Sequence, residues 1–301
     1  MQRIYLHIGL HKTATTFFQQ AVFPALSNEF DIIAGRDTIK LVREITTTDN
    51  QEFNSDKIHK LIADLTTGER PILITSENLS GNPGIKYMNR SLVLNRLADL
   101  FPKAQVILGL REHWGLIGSM YKLYIQNGGT KTFDNYVFQN DRIYPDETYF
   151  GIYNRISLAM FNYCSLLDQL VGLFGKANIH IFNFEQFKLN PQKEADSMFL
   201  FLGATPVSVS AEAQINSSIS WDQIEAFRHV NKFCKSYYHE AGILSSDGIL
   251  AKFMRWIVKL IKSKPISYRQ YLDHKEKYSF QQDLNLLIEK YNTDLLDNNK
   301  H

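Results

Sequence analysis

The stretch Leu6-His7-Ile8-Gly9-Leu10-His11-Lys12-Thr13-Ala14-Thr15-Thr16 packs a glycine, a lysine and three threonines into one turn between an apolar run and a helical pattern. Backbone N–H groups converge in such a turn, and a helix N-terminus adds positive potential. Lys12 brings a full charge, and Thr13, Thr15 and Thr16 bring hydroxyl donors and a helix cap. The chemistry this suits is capture of a phosphate-like anion. Taken alone, the stretch reads equally as a threonine-rich helix cap. It departs from the nucleotide-triphosphatase loop, in which a glycine directly precedes the lysine, because His11 stands there. No later strand clearly ends in an aspartate placed to help hold magnesium. The run Ile72 to Thr75 leads into Ser76-Glu77, and the run ending at Leu110 leads into Arg111.

A second candidate lies in Val106-Ile107-Leu108-Gly109-Leu110-Arg111 and the helical pattern that follows to Tyr121. Arg111 sits at the carboxyl end of a strand, where ligands bind in open parallel sheets. Ser119 follows eight residues later, about two helical turns on. An arginine fork with a serine hydroxyl suits a terminal phosphate monoester. In isolation, a surface arginine paired with a nearby acid and a serine that merely packs is the simpler account.

The elements that position these residues are short apolar runs alternating with helical patterns, which predicts a parallel sheet covered by helices. The expected strands are Ile4 to Ile8, Asp31 to Ala34, Pro71 to Thr75, Ala104 to Leu110 and Asn178 to Phe182. Helices are expected near Asp56 to Leu65, Ser91 to Leu100 and Ile156 to Phe174, the last closed by Gly175. Beyond Leu202-Gly203 the chain reads as mostly helical. With no repeat, low-complexity tract or linker, residues 1–301 read as one domain with a helical part over about 205–301. The segment Asn127 to Tyr153 is the least regular and suits a lid or acceptor loop.

Composition sets bounds. Thirty-three basic and 31 acidic residues leave a net charge of +2, too balanced for bulk nucleic-acid binding. Cys164 and Cys234 make neither a disulfide framework nor a metal signature and read as buried thiols of a reducing compartment. The N-terminus runs straight into a strand-like pattern, and no apolar stretch reaches the ~20 residues needed to span a bilayer. The sequence as written therefore reads as soluble and cytoplasmic.

Together these residues resemble the sulfotransferase family that uses 3′-phosphoadenosine 5′-phosphosulfate (PAPS). Its members pair a GxxKTxTT-like loop for the 5′-phosphosulfate with a strand-end arginine and a serine for the 3′-phosphate. Gly9 to Thr16, and Arg111 with Ser119, look like these. Phe182-Asn183-Phe184-Glu185-Gln186-Phe187 resembles the family's strand-to-helix "yEdL" segment, and Ile215-Asn216-Ser217-Ser218 is similar to its "vNxS" segment. The resemblance runs in order over roughly residues 3 to 220. Many members carry glycine where Ala14 stands, and proline where His113 stands.

The resemblance implies a three-layer α/β/α domain with a central parallel sheet and a P-loop-like fold. It implies PAPS as donor, adenosine 3′,5′-bisphosphate as product and no metal. Gly9, Lys12, Thr13, Ala14, Thr15, Thr16, Arg111 and Ser119 would bind the nucleotide, with Lys12 steadying charge on the leaving oxygen. A hydroxyl acceptor also needs a general base. Glu77 lies after the third strand, where the family often places an "SxE"-like segment, and His11 competes from inside the loop. For each, a structural role is the alternative. The acceptor, whether carbohydrate, lipid or small molecule, has no assignable pattern. A nucleotide-dependent kinase and a non-catalytic module are the rival classes.

Two features stand apart. Tyr121, Tyr124, Tyr149 and Tyr153 either stack on an acceptor or simply pack. Residues 249–262 place Lys252, Arg255, Lys259 and Lys262 in one cationic stripe on an otherwise apolar helix. The preferred reading is a mostly buried helix with a solvated basic edge; peripheral membrane contact is the alternative.

Overall fold

Short runs rich in isoleucine, valine and leucine, apolar on both faces, form the central strands of a parallel sheet. The computed structural model describes residues 2–83, 87–137, 158–209, 219–245, 247–261 and 280–295. From the N-terminus, β1 (Ile4–His7) leads through the glycine- and threonine-containing loop to α1 (Thr15–Phe17) and a π-helical stretch over Phe18–Val22. Then follow β2 (Asp31–Ile33), α2 (Thr38–Thr47), α3 (Ser55–Ala63), β3 (Ile72–Thr75), α4 (Arg90–Leu100) and β4 (Gln105–Leu110). Next come α5 (His113–Gln126), α6 (Phe133–Val137), α7 (Tyr163–Phe174), β5 (Ile179–Asn183), α8 (Phe184–Leu189) and α9 (Pro191–Leu202). The chain continues through α10 (Trp221–Asn231), β6 (Cys234–Lys235), β7 (Leu244–Ser245), α11 (Ile249–Lys259) and α12 (Gln281–Tyr291).

The main sheet has the order β2-β3-β1-β4-β5, with every neighbouring pair parallel. The chain leaves β1 toward the β2 edge and leaves β4 toward the β5 edge. The strand order therefore reverses between β1 and β4, and ligands of open α/β sheets bind outside the carboxyl ends of two such strands. On one face Tyr5, Leu73, Ile107 and Phe182 join Phe18, Phe187, Met198 and Phe199 in a continuous core. On the other, Leu6, Ile74, Val106 and Leu108 are buried, with α7 against β4 and β5 and α4 against α7. The result is the three-layer α/β/α architecture expected.

The chain divides into two compact units. The first comprises residues 1–112, 162–215 and 281–301, and holds the main sheet; the second comprises 113–161 and 216–280. In the second unit Tyr121, Phe133, Tyr136 and Trp221 form an aromatic core. The Asn231 side chain donates to the carbonyls of Ile125 (2.6 Å) and Gly129 (2.9 Å), tying α10 to the end of α5.

Several expectations are corrected. The helix expected from Ile156 starts at Tyr163, after a 3₁₀ turn over Leu158–Phe161; residues 156 and 157 lie outside the described residues. Asn162 accepts from the Ser165 amide, and the Asp283 carboxylate of α12 accepts from the Tyr163 (3.1 Å) and Cys164 (2.9 Å) amides. Those caps fix the start. Helix α6 falls within the stretch read as irregular, of which residues 138–153 lie outside the described residues. The part beyond 205 holds α10, α11 and α12 but also the two-residue parallel pair β6–β7. Of the two roles open to Tyr121 and Tyr124, the structure has packing: both are buried, and their hydroxyls meet the Lys131 carbonyl and the Thr130 and Lys131 amides. Tyr149 and Tyr153 lie outside the described residues.

Helix α11 is not mostly buried. Only Ala251 and Val258 are buried, whereas Ile249, Leu250, Phe253, Trp256 and Ile257 are exposed. Cys164 and Cys234 are free and buried, as expected. Among the described residues no helix is long and apolar enough to cross a membrane.

Candidate anion-binding site

After β1 the backbone enters left-handed territory at Gly9 (φ 32°), Lys12 (φ 68°) and Ala14 (φ 64°). Left-handed residues interleaved in a tight turn bring peptide N–H groups toward one concavity, the arrangement that holds anions. Ala14 is the N-cap of α1 and offers no side-chain hydrogen bond, so the threonines do not cap the helix as the sequence suggested. Each does something else. The Thr13 hydroxyl donates to the Leu10 carbonyl at 2.5 Å, bracing the loop from within, and Thr13 is only 1% exposed. Thr15 Oγ1 is buried without a hydrogen-bond partner, beside Gly9, where a Cβ would stand 2.9 Å from it. Thr16 is exposed, and Lys12 and Ala14 are half-buried. Buried hydroxyls are normally paired. An orphan inside a concave, left-handed turn fits an anion as its missing partner.

Arg111 leaves β4 and turns to this loop: its Nη1 donates to the Lys12 carbonyl at 3.2 Å. Its guanidinium lies 4.4 Å over the Phe184 ring. The turn is held from β5 and α8. The Glu112 amide donates to Glu185 Oε1 at 3.2 Å, and buried Glu185 pairs with Lys188. Asn183 caps α8 by accepting from the Glu185 and Gln186 amides. From the same segment Phe182 packs edge-on to Phe18 (4.5 Å) and Phe187 to Phe17 (4.8 Å), so it supports both the loop's helix and the arginine turn. Ser119 sits half-buried on α5, in the second unit. Residues 216–218 lie outside the described residues.

A third cluster stands at the ends of β1 and β3. His11 Nδ1 meets the Tyr87 hydroxyl at 3.2 Å, its Nε2 meets Asn78 Oδ1 at 3.2 Å, and Glu77 Oε1 is 3.8 Å from Nε2. Burial lowers the His11 pKa, with Glu77 and Asn78 opposing the shift. Arg90 stacks 4.1 Å over the Tyr87 ring and donates to the Ser80 carbonyl. Burial raises the Tyr87 pKa and lowers that of Arg90. Burial raises the pKa of Tyr163, the first residue of α7, with Glu112 adding to the shift and Arg111 opposing it. Sequence reasoning singled out none of Tyr87, Arg90 and Tyr163, because each reaches the site through long-range packing that no local spacing announces. Deeper, His7 Nδ1 bonds Thr75 Oγ1 at 2.8 Å, and burial drives the His7 pKa down to about 3. His113 begins α5 fully buried, stacked on Phe280 at 4.3 Å.

A parallel sheet with a tight, left-handed loop after its central strand, flanked by helices, is the P-loop-like α/β fold of sulfotransferases. The sulfotransferase from Alicyclobacillus acidocaldarius shares it: the alignment covers 77% of this chain and 93% of that one, with a TM-score of 0.52 and 16% identity. Mouse sulfotransferase SULT7A1, solved in complex with PAP, aligns over 97% of this chain and 86% of its own at a TM-score of 0.40 and 13% identity. No protein-family model matches the sequence, and no curated protein matches it.

Proposed function

We propose that this chain, with residues 1–301 as one catalytic domain, transfers a sulfuryl group from PAPS to a hydroxyl or amine of a carbohydrate, lipid or small-molecule acceptor. The observation that carries the reading is the Arg111 guanidinium on the Lys12 carbonyl. It joins the two anion motifs where the strand order reverses, as a nucleotide with phosphates at both ends requires. In this reading the 5′-phosphosulfate lies against Gly9, Ala14, Thr13 and the amides and hydroxyls of Thr15 and Thr16. Since the Thr13 hydroxyl already braces the loop, its contribution is the amide. Arg111 takes the 3′-phosphate.

Bound PAPS supplies the sulfuryl group: an acceptor O–S or N–S bond forms as the bond from sulfur to the phosphate oxygen breaks, leaving adenosine 3′,5′-bisphosphate. Lys12 steadies the charge developing on that oxygen. The acceptor proton goes to a general base. Glu77 suits that role because its side chain is 40% exposed, whereas His11 is nearly buried with both ring nitrogens engaged. His11 then acts as a positioning residue for Glu77. The two free thiols support the cytoplasm as the compartment.

Calorimetry with adenosine 3′,5′-bisphosphate, ATP and GTP, each with and without magnesium, tests the donor. The bisphosphate should bind whether or not magnesium is present; a magnesium-dependent preference for a triphosphate refutes the reading. Arg111→Ala should weaken the bisphosphate about 10- to 100-fold, while adenosine 5′-phosphate changes little. Lys12→Ala should abolish turnover in a folded protein, and near-normal turnover removes Lys12 from the mechanism.

A further inference from the structure

We propose that α11 is an interfacial helix that seats the second unit on an anionic lipid surface. The inference concerns α11 alone and does not depend on the donor chemistry. One side of the helix is fixed to the protein: Ala251 and Val258 are buried, and Arg255 turns inward, within 3.5 Å of Asn231 Oδ1. Gln223 of α10 donates to the carbonyls of Lys259 (3.2 Å) and Ile261 (3.0 Å), anchoring the last turn. The outward side is apolar. At 100° per residue, Ile249, Phe253, Trp256 and Leu260 fall within a narrow arc that Ile257 and Leu250 widen. Ile249 is 90% and Trp256 55% exposed, and the Phe253 and Trp256 rings stack in the open at 6.0 Å.

Charge selects the occupant. Exposed Lys252 and Lys259 run along one flank of this arc, and residues 249–261 contain no aspartate or glutamate. Neither lysine has an acidic partner among the described residues. A second copy meeting the same patch through a twofold axis would bring like charges together. An anionic headgroup layer instead receives the lysines while the aromatic pair enters the acyl boundary. The arrangement is that of a helix lying in a membrane surface, not crossing it.

The test is co-sedimentation of the full chain with phosphatidylcholine vesicles, alone or with 30% phosphatidylserine, at low and high salt. Binding is expected on the serine-containing vesicles and should weaken with salt. Lys252→Gln with Lys259→Gln should lower the partition coefficient about 25-fold, taking roughly fivefold per charge near a surface. Phe253→Ser with Trp256→Ser should lower it by at least tenfold. Both pairs are exposed, so circular dichroism should show unchanged folding. The proposal is overturned if the full chain stays in the supernatant with anionic vesicles, or if binding survives loss of the aromatic pair. It is equally overturned if sedimentation equilibrium shows a dimer that Trp256→Ser dissociates, which would assign the face to a protein partner.

Discussion

Replacing Gly109 by alanine tests how the loop after β1 is held. A methyl group at this β4 position would stand 2.5 Å from Thr13 Oγ1, 2.9 Å from Thr13 Cβ and 3.2 Å from a Phe182 ring carbon. Phe182 is fully buried against Phe18 and Phe187 and has nowhere to go. Thr13 must move, and with it the hydrogen bond to the Leu10 carbonyl that braces the loop. Overpacking costs about 1–3 kcal/mol, and loss of that bond about 1 kcal/mol more. The sum, about 2–4 kcal/mol, corresponds to a fall in Tm of about 3–6 °C for a chain this long. Scanning calorimetry reads it directly. Affinity for adenosine 3′,5′-bisphosphate should fall at least tenfold, because the loop amides shift with Thr13. Adding Thr13→Ala removes the nearest clashing atom and should restore part of the lost stability, giving a coupling energy of about 1 kcal/mol or more. A Gly109→Ala protein with unchanged Tm, or losses strictly additive with Thr13→Ala, refutes the packing account.

Ala14→Gly should raise Tm by up to about 2 °C, since glycine escapes the ~1–2 kcal/mol left-handed penalty and repays part of it in unfolded-state entropy. A fall in Tm would contradict the φ of 64° at this residue. His7 stays neutral in the fold down to about pH 3 but takes a proton near its ordinary pKa of 6.5 when unfolded. The unfolded chain then binds more protons, so this contribution is complete above pH 6.5 and is lost as pH falls toward 3, at up to about 1.4 kcal/mol per unit. Urea unfolding from pH 7 to 5 should show wild type losing about 2 kcal/mol more than His7→Asn. Equal slopes would remove His7 as the cause.

Strands β1, β3, β4 and β5 were legible because runs such as Ile72–Thr75 are apolar on both faces and too short for helices. Helix α2 went unread although Leu41, Val42 and Ile45 share its buried face, because threonines and β-branched residues at both ends blur its period. The start of α7 depends on Asp283, which lies 120 positions from Tyr163 and is invisible to any local window. In the loop after β1, residue types suggest an anion but not which hydroxyl is free to meet it. Thr13 and Thr15 are the same residue, yet one hydroxyl meets a carbonyl and the other has no hydrogen-bond partner, and each lies against a glycine, Gly109 and Gly9 respectively. The burial of α11 is not legible in the sequence because a stripe of lysines fixes which side is polar without saying which side packs.

The unit holding the main sheet is assembled from three stretches, and the last to be translated contains α12, whose Asp283 caps α7. A nascent chain on the ribosome therefore extrudes all five strands of the main sheet, together with the whole intervening second unit, before that cap emerges. Until then two amides of α7 lack their acceptor, and the layer over β4 and β5 stays open to fraying. Maturation of this unit must await α12, so premature termination before Gln281 would yield a sheet with one cover unfastened.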